Sequence, residues 1–445
     1  MLNPQQPNIA PGLNGCAQPS GYTCIGGSGA LAFPLSVTAI PNHAVWPYMQ
    51  QWNLSIEREV FKNTVVQVGY VGSKGTHLAL NLDENQLLPT PAGQNPYSPG
   101  EPIVIQDQNN PANPALNSTG QAVNTDCNAL TVNGNPVGGP ALINLGTACG
   151  NDPSPFRKFV GFGTITSKRY SADSSYNSLQ VSIRRTIAPL VISASYTYSH
   201  SIDDASDLAD QNFVNSFDLA ANRASSNFDE RHIFTFSYVY SLPTHWSSGW
   251  KKVALGDWQY SGITSFNTGQ PFSVLNGVFG DNAGVANGVG TNGSYADLVP
   301  GISPNSKPCA VAVAALAPGS GPLLYNPCAF EAPTGLTFGD SGRNLLNNPS
   351  RLNFDMALFK NFPIHEAISM QFRVEAFNIF NHPQWASNNG TASTTGSGGV
   401  ANNTISCYGG ANNSAADPAC VGNGFLQPEA AHNPRILQFG LKLLF

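Results

Sequence analysis

Nine stretches of the chain alternate apolar and polar side chains, and each reads as a β-strand. In the last, residues 435–445, Leu437, Phe439, Leu441, Leu443 and Phe445 form a wholly apolar row. The intervening positions mix Ile436, Gln438, Gly440, Lys442 and Leu444. Successive strand side chains point to opposite faces, so this segment has one oily face and one mainly wet face. The same pattern predicts strands at 52–59, 64–73, 177–187, 190–199, 231–242, 257–267, 352–359 and 368–380. Val66, Val68 and Tyr70 oppose Gln67 and Gly69; Phe234, Phe236, Tyr238 and Tyr240 alternate with Thr235, Ser237 and Val239. In 368–380, Ile368, Met370, Phe372, Val374 and Ala376 oppose Ser369, Gln371, Arg373 and Glu375, a charged face that fits a polar lumen.

The connections between these strands alternate in length. Short ones fall at 61–63, 188–189, 243–256 and 360–367; long ones at 1–51, 74–176, 200–230, 268–350 and 381–434. Membrane barrels have short periplasmic turns and long external loops. The pattern predicts an all-β, antiparallel up-and-down transmembrane β-barrel with long extracellular loops, in the bacterial outer membrane. A soluble sandwich is the competing reading, because its strands also alternate. Residues 1–51 read as an extracellular irregular segment and 52–445 as barrel. Nine strands entered from the long-loop side give an odd number, whereas bacterial single-chain barrels are even. The expectation is therefore a partial barrel, about 9–10 strands of a larger one.

Composition sharpens this picture. Charged residues make up 10% of the chain, against roughly 25% in soluble domains. With 44 Gly and 34 Pro, the chain suits short strands joined by loops. The net charge of −6 carries no basic cluster, which argues against a nucleic-acid partner. The longest apolar run, 309–317, is far short of the ~18 residues of a spanning helix. The first residues have neither a basic nor an apolar region of a secretory signal. The cysteines fall as neighbours, Cys16 with Cys24, Cys127 with Cys149, Cys309 with Cys328 and Cys407 with Cys420, all in long connections. They read as candidate disulfides, with zinc the alternative, although no pair has the two-to-four-residue spacing of a structural metal site. Pairing is not fixed by sequence.

Several phrases carry a resemblance. They include Gln51-Trp-Asn-Leu-Ser-Ile-Glu-Arg58, Val68-Gly-Tyr-Val-Gly-Ser-Lys-Gly75, Tyr176-Asn-Ser-Leu-Gln-Val181 and Ala194-Ser-Tyr-Thr-Tyr-Ser-His-Ser-Ile-Asp-Asp204. Phe228-Asp-Glu-Arg-His232, Thr268-Gly-Gln-Pro-Phe272, Gly339-Asp-Ser-Gly-Arg-Asn344 and Phe372-Arg-Val-Glu-Ala-Phe-Asn-Ile-Phe-Asn-His-Pro383 follow in order. Over about 51–445 the chain resembles the C-terminal barrel of TonB-dependent receptors of the Oar-like, acidobacterial type. The resemblance implies a 22-stranded barrel with an N-terminal plug, driven by TonB–ExbB–ExbD, that imports siderophores, cobalamin, sugars or other large nutrients. The chain lacks the plug and TonB box, so it reads as a fragment whose link to the TonB system runs through that missing part. In this family the aromatic-ended final strand, with Phe439, Leu441, Leu443 and Phe445, resembles the membrane-assembly signal read by the barrel-assembly machinery. Outer-membrane lipid and an unidentified extracellular ligand complete the expected partners. The alternative function is a non-transporting structural or adhesive surface protein.

Sharper chemistry finds little support, and the chain reads as neither enzyme nor cofactor protein. Gly339-Asp-Ser-Gly342 looks like a serine-protease nucleophile loop, but no protease-like histidine motif precedes it. Asp203, Asp204, Asp207 and Asp210 lack the spacing of a calcium loop and read as a solvated loop. His382, between Asn381 and Pro383, reads as a turn residue, and Gly26-Gly-Ser-Gly29 as a flexible loop without a phosphate-binding lysine.

Overall fold

The computed structural model describes residues 34–41, 45–98, 103, 129–132, 134–149, 151–208, 215–243, 249–276, 282–286, 294–314, 316, 321–331, 333, 335–365, 368–386, 404–405, 424–428 and 430–445. One antiparallel sheet dominates them. A short strand β1 (Leu35–Ala39) leads to β2 (Tyr48–Phe61), β3 (Thr64–Asp83), β4 (Phe162–Ile187), β5 (Leu190–Asp203) and β6 (His232–Ser241). The sheet continues through β7 (Trp258–Asn267), β8 (Arg351–His365), β9 (Ile368–Phe377) and β10 (Ile436–Leu444). Strands β2 to β10 pair in sequence order, each with its neighbour, and β1 adds in parallel to β4. The nine strands expected from alternation are these nine. Among the described residues no helix is long and apolar enough to cross a membrane.

Register converts the alternation within each strand into continuous faces. Ile56 pairs with Val68, Val68 with Val181, Val181 with Tyr196, Tyr196 with Phe234, and Phe234 with Phe266. Farther round, Tyr240, Tyr260, Leu358, Val374 and Phe439 lie in one row. The opposite face carries Gln67, Ser182, Ser195, Thr235 and Ser265 in register. A one-residue slip would exchange the two faces, so the pattern itself fixes the register. Lys360 interrupts the apolar face. Its ammonium folds back onto the Gly256 carbonyl and lies 5.4 Å from the Trp258 ring centroid, so the charge is returned to the short-turn end.

Strand lengths depart from the alternating segments on the long-loop side. Strand β3 runs to Asp83, β4 starts at Phe162 and β5 reaches Asp203, through positions expected to be loop. At about 3.3 Å per residue a 26-residue strand extends roughly 86 Å, whereas about ten tilted residues cross a bilayer. The surplus projects beyond the lipid, where both faces meet water or loops and nothing selects for alternation. Three further boundaries differ, the first being that β9 ends at Phe377 and not at 380. The expected turn at 360–367 is strand as far as His365, and β2 begins at Tyr48 inside the segment expected to be irregular. On the short-turn side the connections are tight. Asn63 takes a left-handed φ of 56° between β2 and β3, and its N–H donates to Glu59 Oε1 at 2.7 Å. A short helix spans Gly249–Leu255 between β6 and β7.

Burial is inverted relative to a soluble domain. Strand residues such as Leu54 (67% exposed) and Leu441 (68%) lie open, while the buried apolar clusters sit in the long connections and, for Leu80, Leu82 and Ala172, on the projecting ends of β3 and β4. One cluster gathers Phe272, Val274, Phe330, Leu346, Ile405 and Phe425. Another packs Tyr97, Ile103 and Val137 against Ala141 and Leu145 of a helix, α1 (Pro140–Ala148). Strands β2 and β10 are the sheet's two edges and do not pair with each other, so the sheet is not closed.

Candidate functional site

Two polar constructions stand on the long-loop side. The first is a buried knot centred on Arg343. Its Nη1 donates to Asp203 Oδ1 at 2.8 Å and to the Asn222 carbonyl at 3.2 Å, while Nη2 donates to Ser206 Oγ at 2.8 Å. The side chains of this ion pair are 1% and 3% exposed. Asn344, held at φ 55°, donates from its side chain to the Ser225 carbonyl at 2.7 Å and to Asn227 Oδ1 at 2.8 Å. Its backbone N–H donates to Ser273 Oγ at 2.9 Å. Beside the knot, Arg223 pairs with Asp204 at 3.0 Å, and Arg231 with Asp229 at 2.6 Å. The Asp229 carboxylate also accepts the Ser201 N–H at 2.7 Å.

The second is a cavity of about 710 Å³ where the projecting ends of β3 and β4 meet α1 and residues 216–217. Its apolar wall includes Leu82, Leu87, Leu88, Ile143, Phe156 and Phe217. Polar side chains punctuate that wall, among them Asp83, Glu84, Gln86, Asn144, Lys158 and Arg169. Arg169 Nε donates to Glu84 Oε1 at 2.5 Å, and that hydrogen bond, first among the causes, holds the Glu84 carboxyl below its usual range. The neighbouring Asp83 lies in an ion pair with Arg157 at 3.4 Å. Burial nonetheless pushes the Asp83 carboxyl upward, outweighing the Asn85 and Ile165 N–H groups and the guanidinium. Gln86 is 3% exposed; its Oε1 accepts the Ser216 N–H at 2.8 Å, while its Nε2 has no partner among the described residues.

The remaining candidates fall as follows. Asp203 and Asp204 are buried in ion pairs, which corrects the solvated-loop expectation; Asp207 is exposed, and Asp210 lies outside the described residues. Their charge is absorbed by guanidinium groups far along the chain, which local spacing does not reveal. Ser341 is buried, and its Oγ has no partner among the described residues. The phrase around it is a tie: Ser341 N–H donates to the Ala296 carbonyl at 3.0 Å and Asp340 accepts the Leu298 N–H at 2.7 Å. Gly339 is required because a Cβ at its φ of 78° would collide with the Tyr295 carbonyl. Asn378 and His382 exchange hydrogen bonds of 3.0 Å across the turn after β9. Cys309 and Cys328 form a disulfide, and Cys149 is disulfide-bonded too. Cys16, Cys24, Cys127, Cys407 and Cys420 lie outside the described residues, as does Gly26-Gly-Ser-Gly29. No cluster of three metal-ligating side chains occurs among the described residues.

The sequence profile of the outer membrane beta barrel domain matches residues 3–408. The chain belongs to that family. Its place is therefore the bacterial outer membrane, and the apolar face of the barrel sheet is the one that meets lipid. No curated protein matches the chain. Among solved structures, the barrel is similar to the outer membrane transporter YddB from Escherichia coli, with 9% sequence identity and a TM-score of 0.36. That likeness covers 89% of this chain and 32% of the other, so the chain spans about a third of that transporter's length. Within the barrel, Phe439, Leu441 and Leu443 stand exposed on the lipid face of β10, and Phe445 lies just past the strand, 96% exposed.

Proposed function

We propose that the chain forms part of the barrel of a TonB-dependent outer-membrane receptor that takes up a large nutrient such as a siderophore, cobalamin or an oligosaccharide. The observation that carries this reading is the combination of an apolar face that runs over nine strands, interrupted at Lys360, with long connections built into a folded cap on the side opposite the short turns. A passive pore needs no such cap; a receptor needs a surface that recognises its ligand before translocation. Further support comes from the ordered phrases that resemble the Oar-like receptors. Several of them converge in space: Asp203 and Asp204, Asp229 and Arg231, and Arg343 and Asn344 all meet in or beside the buried knot. Such a knot fixes the cap on the strand ends, as a recognition surface requires. Transport would draw on a plug and the TonB system, and closure of the barrel on strands beyond the nine.

The test is accumulation of labelled nutrients in cells expressing the full-length protein, with and without a protonophore and a tonB deletion. Energy- and TonB-dependent accumulation of one ligand supports the reading. Ligand or cell-surface binding without accumulation favours a non-transporting structural or adhesive protein instead.

A further inference from the structure

The cavity between β3, β4 and α1 combines an apolar wall with polar groups whose partners are unevenly spent. Both carboxylates at its edge are occupied: Glu84 by Arg169 and Asp83 by Arg157. The donors are not. Gln86 Nε2 has no acceptor among the described residues, although its Oε1 is held by the Ser216 N–H, which fixes the amide's orientation. Lys158 has no carboxylate within ion-pair distance among the described residues; its Nζ lies 5.1 Å from the Phe159 ring centroid. Lys158 acts on Glu84 only at longer range, so an occupant meets two unspent donors, the Gln86 amide and the Lys158 ammonium, beside Leu82, Leu87, Phe156 and Phe217. A buried donor without an acceptor costs on the order of 1–3 kcal/mol, so a carbonyl or carboxylate placed there recovers that loss.

We propose that this cavity binds a small amphipathic carboxylate, its apolar body against Leu82, Leu87, Phe156 and Phe217 and its acceptor oxygens toward Lys158 and Gln86. The volume of about 710 Å³ lies within the range of pockets that enclose drug-sized ligands. A cation is disfavoured because the carboxylates that would receive it are already paired. A wholly apolar ligand leaves the Gln86 amide unsatisfied. The site does not depend on transport: an adhesive barrel would hold the same ligand, and binding is read without uptake.

The experiment uses the full-length protein in lipid nanodiscs, with empty nanodiscs subtracted. Three isosteric probes are titrated by saturation-transfer NMR and equilibrium dialysis: biphenyl-4-carboxylate, biphenyl-4-carboxamide and 4-phenylbenzylammonium. The expected result is saturable binding with the carboxylate at least tenfold tighter than the amide, and no saturable binding of the ammonium. Lys158→Gln, at an exposed position, should bring carboxylate and amide to within twofold of each other. Gln86→Glu keeps the acceptor for Ser216 and removes the donor, and should weaken the carboxylate at least tenfold. Leu88→Trp, at a cavity-lining position 66% exposed, should weaken carboxylate and amide together. Absence of saturable binding overturns the proposal, as does equal affinity for the three probes. Carboxylate binding indifferent to Lys158→Gln or to Leu88→Trp also overturns it, since the probe would then lie elsewhere. None of these outcomes bears on energised uptake, which stands or falls by accumulation in cells.

Discussion

Arg343 shows how much one side chain fixes on the long-loop side. Its guanidinium bridges the end of β5 to residues 206 and 222 while Asn344 reaches 225 and 227, so two consecutive residues hold three stretches of chain. Arg343→Ala leaves the Asp203 carboxylate buried without its partner, a change that costs about 3–5 kcal/mol. The expected outcome is local: amide exchange at 203–206 and 222–227 accelerates by roughly two to three orders of magnitude, while the heat-modifiable mobility of the barrel is unchanged. Charge also sets pH dependence, with opposite signs at two sites. Glu84 has a lowered pKa, so its contribution to stability is present above the unfolded value of 4.5 and is lost as pH falls through the folded value. Glu331 is raised, by burial first and then by Asp297 and Asp340, and Asp297 is its direct cross-strand partner. Its contribution is present below 4.5 and lost as pH rises through the folded value. NMR titration should place Glu84 below 4.5 and Glu331 above it; Arg169→Gln should move Glu84 back upward, and Glu331→Gln should slow exchange around Leu298 at neutral pH.

At the scale of the element, a strand in lipid is defined by which face it shows. Val181 and Ser182 are adjacent on β4, on the apolar and polar rows respectively. Val181→Arg should cost about 2–4 kcal/mol near the bilayer midplane, whereas Ser182→Arg, on the lumen side, should leave stability nearly unchanged. Urea unfolding in lipid vesicles compares them; equal losses would contradict the assigned faces. The same alternation made these strands legible in the sequence: Phe234, Phe236, Tyr238 and Tyr240 declare a face because lipid demands one. Beyond the bilayer the demand disappears. Lys168, Arg169, Tyr170 and Ser171 give no period, although they lie in the same strand. The knot was hidden for a different reason. Asp203 and Arg343 are 140 residues apart, and no local spacing links them, although the conspicuous phrases around each were visible. The cavity was not legible at all, because its wall is drawn from six separate stretches, within 41–45, 82–88, 140–144, 156–158, 169–171 and 216–217. At the other end of the chain, Phe445 makes little contact with the sheet beside it, so its aromatic ring contributes little to the fold. If the final strand is read by the barrel-assembly machinery, as its resemblance to that signal implies, Phe445 acts during assembly and not in the finished barrel. Deleting Phe445 from the full-length protein should lower the amount of heat-modifiable barrel in the membrane without altering the stability of molecules that do assemble; normal abundance would refute this.

The whole molecule is two structures held by two solvents. The sheet presents its large apolar side chains outward and is stable only against lipid. The cap hides its apolar side chains inward, around Phe272, Phe330 and Phe425, and is stabilised by burial from water. The Cys309–Cys328 disulfide belongs entirely to the cap, where Cys328 adjoins the buried residues Ala329 and Phe330. A crosslink over a sequence separation of 19 removes unfolded-chain freedom worth about 3 kcal/mol. The double substitution Cys309→Ala with Cys328→Ala should therefore loosen the cap alone. Exchange of the Val299 amide, which donates to the Ala329 carbonyl at 2.9 Å, should accelerate by about two orders of magnitude. Amides of β6 and β7 should keep their protection, because their hydrogen bonds depend on neighbouring strands and lipid. Delipidation should do the reverse, releasing the sheet while Val299 remains protected. If instead both regions lose protection together in both experiments, cap and sheet form one cooperative unit, and the knot at Arg343 is the contact that couples them.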